Sequence, residues 1–149
     1  MSQFTEVHST KKYRLNTRKE DVAGNEYIYL KGLTAIALGS WVLYDEAGVT
    51  ALVDADAAAT SSGGGFVAVA QAAVDAATKF GWFMIWGTCS ALAATVVDNT
   101  EVFAVSTAAT GDDTGTGGMQ IAGAMWRSAD SGGLATVQLQ YPVIGINVA

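Results

Sequence analysis

The sequence predicts a mainly β protein: a small antiparallel barrel or sandwich with at most one or two short helices and an extended N-terminal arm. Three observations predict it. Short runs rich in Val, Ile, Phe, Tyr and Trp recur along the chain, and such side chains suit a pleated, half-buried surface. Turn-forming residues separate the runs, with seventeen Gly and one Pro in 149 residues. The clearest run alternates, with Val137, Leu139 and Tyr141 on one face and Thr136, Gln138 and Gln140 on the other. The length suits one domain, and half of the residues are apolar, although Ala inflates that share.

Residues 1–25 are assigned to the arm and residues 26–149 to a β-rich domain. Residues 3–8 alternate weakly, Phe4, Glu6 and His8 against Thr5 and Val7, and fit a short strand. From residue 9 to 25 apolar residues are sparse and charges frequent. This stretch is expected to be mobile alone and to order on a partner, by adding a strand to the partner's sheet edge. Strand candidates follow at 27–31 (YIYLK), 40–45 (SWVLYD) and 49–53 (VTALV), the last two joined by the turn signal DEAG. Residues 54–65 (DADAAATSSGGG) read as a flexible loop.

The chain is organised around residues 66–87. Its first strand sets Phe66, Ala68 and Ala70 against Val67 and Val69. An Ala-rich connection over 72–79 suits one or two helical turns but is too short to be stable alone. The second strand sets Phe80, Trp82, Met84 and Trp86 against Gly81, Phe83 and Ile85. A strand apolar on both faces must be covered on both, here by core on one side and by a loop or another subunit on the other. A turn is expected at 87–90, and further strands at 91–97, 101–106, 119–126 and 135–141. Turns at 98–100 and 127–133 and a loop at 107–118 connect them. Pro142 is expected to end the last strand, and the apolar tail 143–149 to dock on the body or on a neighbour.

The net charge of −6 disfavours nucleic acid as a partner. The charge is divided: residues 1–31 hold six basic groups against four acids, residues 32–149 two against ten. A basic arm on an acidic body suggests an acidic surface for the arm, on a neighbouring copy or on another protein. Lone Cys89, in an apolar run, reads as a core thiol, and nothing requires an oxidising compartment. The polar first residues lack the apolar core of a signal peptide. Residues 80–97 carry no charge, but Gly, Thr and Ser interrupt them and β-branched and aromatic residues crowd them, so strands fit better than a membrane helix and no membrane partner is expected.

Chemistry is hard to find. The lone histidine, His8, lies in the arm, a poor place for a nucleophile's base. One His and one Cys do not make a zinc site. The pairs Asp54/Asp56 and Asp112/Asp113 lack the spaced acids of a calcium loop, and GTGG at 115–118 and SSGGG at 61–65 lack the Lys-Ser/Thr of a phosphate loop. No catalytic residue, metal or cofactor is expected. Trp41, Trp82, Trp86 and Trp126 could line a sugar-binding face, but aromatics on strands are more often core or interface.

The order and spacing of several segments over residues 26–141 resemble the capsid decoration, or cement, proteins of tailed bacteriophages. They are YIYLK at 27–31; SWV at 40–42 with YD at 44–45; VAVA at 67–70 leading to FGW at 80–82; the apolar strand ending at Trp86-Gly87; the Gly/Asp/Thr-rich loop near 111–118; and TVQLQ at 136–140. The resemblance implies a non-enzymatic β-rich protein on the outer surface of the phage head, made in the bacterial host cytoplasm. It implies a homotrimer that bridges neighbouring subunits of the major capsid protein, and an N-terminal arm that joins the capsid protein. Candidates for the capsid-binding arm are Phe4, Val7, His8, Lys11, Lys12 and Arg14. Candidates for core and self-association are Trp41, Trp82, Phe83, Met84 and Trp86. The alternative is a phage head fibre or surface adhesin that binds host glycan; a small β-barrel enzyme is a third and weaker reading.

Overall fold

A computed structural model describes residues 3–54, 65–114 and 120–144. After a 3-10 turn at Gln3–Thr5 come eleven strands: β1 (Val7–His8), β2 (Arg18–Glu20), β3 (Glu26–Lys31), β4 (Trp41–Tyr44), β5 (Thr50–Leu52), β6 (Gly65–Ala70), β7 (Phe80–Leu92), β8 (Glu101–Ala104), β9 (Gly111–Asp112), β10 (Gln120–Trp126) and β11 (Leu134–Ile144). They form one antiparallel sheet in the order β2-β3-β7-β6-β11-β10-β8-β9, with β4 joining β6 to β5 and with β1 on β7. The mainly β, antiparallel class holds. The sheet is open: β9 meets the chain just past β7 through a single isolated bridge, Ala93 to Gly111.

The layers follow from strand alternation. Tyr27 and Tyr29 of β3, Val67 and Val69 of β6, and Trp82 and Met84 of β7 enter one apolar cluster. Their neighbours Ile28, Leu30, Ala68, Ala70, Phe83 and Ile85 enter a second cluster on the opposite face. The chain itself covers that second face, with Ile36 from the β3–β4 connection and Val74 from the β6–β7 connection. Residues 71–79 form bends and a turn, not a helix. Val74 is held between two glycines: a Cβ on Gly32 would come within 2.6 Å of its Cγ1, and one on Gly81 within 2.7 Å of its Cγ2.

Two expected boundaries are corrected. No turn forms at 87–90. β7 runs on, pairing along one edge with β3 as far as Trp86 and along the other first with β6, at Phe83 and Met84, and then with β11 from Trp86 to Leu92. Gly87 permits the change with φ of +119°, a conformation that an L side chain resists. The strand candidate at 91–97 therefore ends at Leu92. Nor does Pro142 end β11, which continues to Ile144. On β10, Ala122 pairs with Val143 and Ala124 with Leu139, so residues 140–142 bulge opposite Gly123. Pro142 sits in that bulge, where a missing N–H breaks no ladder, and beyond it β11 pairs with β6. Most of the loop expected at 54–65, the GTGG segment and the tail from 145 lie outside the described residues.

The arm also departs from expectation. Residues 3–25 pack along the body. β1 takes the edge of β7 beside Phe80 and Gly81, just beyond the stretch that β6 pairs, Phe83 and Met84. Asn16 N donates to Tyr29 O and Tyr29 N to Thr17 O, which extends the β2–β3 hairpin. Phe4 is buried and stacks on Tyr27 at 4.0 Å, edge-on to Trp82 at 5.2 Å. Tyr13 and Leu15 pack on the same cluster. A few large apolar side chains, spaced among charges, order the segment together with main-chain pairing. Low average hydrophobicity concealed them.

Candidate functional site

The arm candidates divide by direction. Phe4 and His8 point inward. His8 is held by Tyr29 Oη at 2.8 Å from Nδ1 and by Glu6 Oε2 at 3.3 Å from Nε2. The Lys12 amide also donates to Tyr29 Oη, at 3.3 Å. Val7, Lys11, Lys12 and Arg14 point outward. None of the three cations has an ion-pair partner within 4 Å among the described residues, unlike Arg18, which pairs with Glu26 at 3.5 Å. Lys19 folds over the Tyr13 ring, 4.2 Å from its centroid. The exposed basic group is thus the loop carrying Lys11, Lys12 and Arg14.

The self-association candidates divide likewise. Trp41, Trp82, Phe83 and Met84 are buried within this chain. Trp41 Nε1 donates to Leu92 O and Trp126 Nε1 to Asp112 O, with the two rings edge to face at 5.8 Å. Trp86 alone of the five is exposed, at 38 %, and its ring lies 5.0 Å from that of Tyr141. This aromatic pair borders the outer face of β7, β11 and β10, where Thr88, Ser90 and Gln140 are exposed. Arg127 lies flat on that face, donating to Gln138 Oε1 and Asn99 Oδ1. A shallow depression of about 290 Å³ lies between Glu101, Gln120, Met125, Arg127 and Gln140.

A larger open groove, about 680 Å³, lies between β3, the β4–β5 hairpin, β6 and the β11 bulge. Tyr44, Phe66 and Tyr141 wall it, and buried Ile28 and Ile85 floor it. Nothing at sequence level singled out these rings. Simple alternation put Tyr141 inward with Val137 and Leu139. The bulge reverses it, and the one available signal was the proline that follows it.

Asp112 and Asp113 serve local structure. Asp112 Oδ1 accepts from Asp113 N and Asp113 Oδ2 from Val97 N. Burial pushes the Cys89 thiol up to about 12, so it stays protonated. Among the described residues no three His, Cys, Asp or Glu side chains group as metal ligands. No described helix is long and apolar enough to cross a membrane.

No family model matches the chain, and no curated protein matches it. Among solved structures, a chain of "The capsid of Myoviridae Phage XM1" is similar in fold, with a TM-score of 0.52 at 12 % identity over 89 % of this chain and 96 % of that chain. At that identity the likeness is one of fold.

Proposed function

We propose that this chain is a non-enzymatic structural protein of a phage head, which binds the outer surface of the capsid and cements neighbouring major capsid protein subunits as a homotrimer. The observation that carries the reading is the fold likeness to a phage capsid chain over nearly the whole of both chains. The resemblance to decoration proteins in the order of sequence segments supports it independently. A cement protein needs several modest contacts more than one strong one, because contacts made together gain avidity. The chain offers two exposed surfaces for them: the basic loop of Lys11, Lys12 and Arg14, and the open face of β7, β11 and β10 with Trp86 and Tyr141 at its border. The loop suits an acidic capsid surface, and the aromatic border suits a neighbouring copy.

Deleting residues 1–25 would be a poor test, since it removes Phe4, Tyr13 and Leu15 from the packed core. Reversing the exposed charges leaves the core intact. The triple variant K11E, K12E, R14E is expected to keep its fold and to lose most co-sedimentation with heads assembled without this protein. Equal binding by variant and parent would make the loop incidental. No binding by the parent would overturn the proposal and favour the glycan-binding adhesin.

A further inference from the structure

We infer that the groove between β3, the β4–β5 hairpin, β6 and the β11 bulge is a binding site for a neutral oligosaccharide, an activity separate from capsid binding. The groove is built, not incidental. Tyr141 stands in it with φ of +49°, a left-handed conformation that a bulky residue adopts at a cost. Its hydroxyl donates to Glu26 Oε2, and the other oxygen of that carboxylate pairs with Arg18. Backbone and hydrogen bonds thus fix the ring in an outward position. Phe66 faces it from β6, 59 % exposed, with Tyr44 beside it at 6.1 Å between centroids. Three rings over an apolar floor, one of them fixed, are available to a ligand without first leaving a core.

The chemistry of the groove selects among occupants. Arg18, Asp45 and Glu46 line it together, with Glu26 behind Arg18. Among the described residues, neither the Tyr44 hydroxyl nor the Glu46 carboxylate makes a hydrogen bond. An apolar peptide would leave these polar groups desolvated and unpaired. An anion would meet three carboxylates against one guanidinium. A pyranose ring has an apolar C–H face to lie on aromatic rings and a rim of hydroxyls that both donate and accept. It satisfies Arg18, Glu46 and Tyr44 at once, in the manner of sites with a mostly apolar lining and a few placed polar groups.

The test is ligand-detected NMR on the full chain with cellotriose, maltotriose, mannotriose and chitotriose at millimolar concentration, with an oligogalacturonate as the anionic control. At least one neutral trisaccharide is expected to bind, and the anionic one is not. Phe66→Ala and Tyr141→Gly are each expected to weaken binding about tenfold. Glycine suits the backbone at 141, so loss of binding there without loss of thermal stability isolates the ring. Val97→Ala, an exposed apolar position elsewhere, is expected to change nothing. No binding of any neutral saccharide, or binding that both groove variants leave unchanged, overturns the inference. Co-sedimentation of Phe66→Ala, which lies outside the face proposed to meet neighbouring copies, reports on capsid binding separately, so either claim can fail alone.

Discussion

Asp21 closes the turn between β2 and β3 by accepting hydrogen bonds from the Ala23 and Asn25 amides, from Asn25 Nδ2 and from Tyr27 Oη. Desolvation opposes the charge, yet these bonds together hold the carboxyl below its usual value. A depressed folded-state pKa contributes stability above the unfolded value, and that stability is lost as pH falls through the folded one. Asp21→Asn is therefore expected to cost about 1 kcal/mol at neutral pH. The gap from the parent should close in acid denaturation curves below the usual aspartate range. Cys89 gives a second check. With its thiol raised to about 12 by burial, iodoacetamide should modify it slowly in the native protein and fast only after unfolding. At this scale the sequence was readable in part for Cys89, which packs half-buried against the main core cluster. It was not readable for Asp21, whose four donors come together only when the turn forms.

The strands that alternate cleanly were legible as elements: β3, β6 from Val67 onward and the first half of β7 bury the residues that period two assigns to each face. The second half of β7 was not. Gly87, Thr88 and Ser90 carry turn chemistry, and the pairing with β11 that overrides it is a long-range fact. The cover of the second face was legible only as a choice between a loop and another subunit. Val74 decides for the loop, and its fit against Gly32 and Gly81 makes a prediction. Gly81→Ala places a methyl against Val74 and is expected to destabilise the fold by about 1–3 kcal/mol in urea titration. The arm was misjudged as mobile because its ordering rests on few residues. Phe4→Ala removes a buried stacked ring and is expected to cost about 3 kcal/mol, or less where the arm detaches first. Hydrogen exchange separates the two cases: detachment exposes the amides where β1 pairs with Phe80 and Gly81, while the β7–β11 ladder stays protected.

Seen whole, the molecule keeps nearly all of its aromatic core for itself and presents polar or aromatic surfaces at a few places. The asymmetry of charge was legible from the sequence, and the structure narrows its exposed basic part without an ion pair among the described residues to Lys11, Lys12 and Arg14. The proposed division of labour leaves the core to fold each copy, the loop to meet the capsid and the open sheet face to meet neighbours. Cementing makes a stronger demand than binding, because a protein that binds native heads but not their disrupted subunits must raise the stability of the head by linkage. The direct measurement is the thermal disruption temperature of heads assembled without this protein, with and without saturating purified chain. Decoration is expected to raise that temperature, with the rise lost in the K11E, K12E, R14E variant. Binding at saturation with no rise, or no binding, would contradict the cement reading.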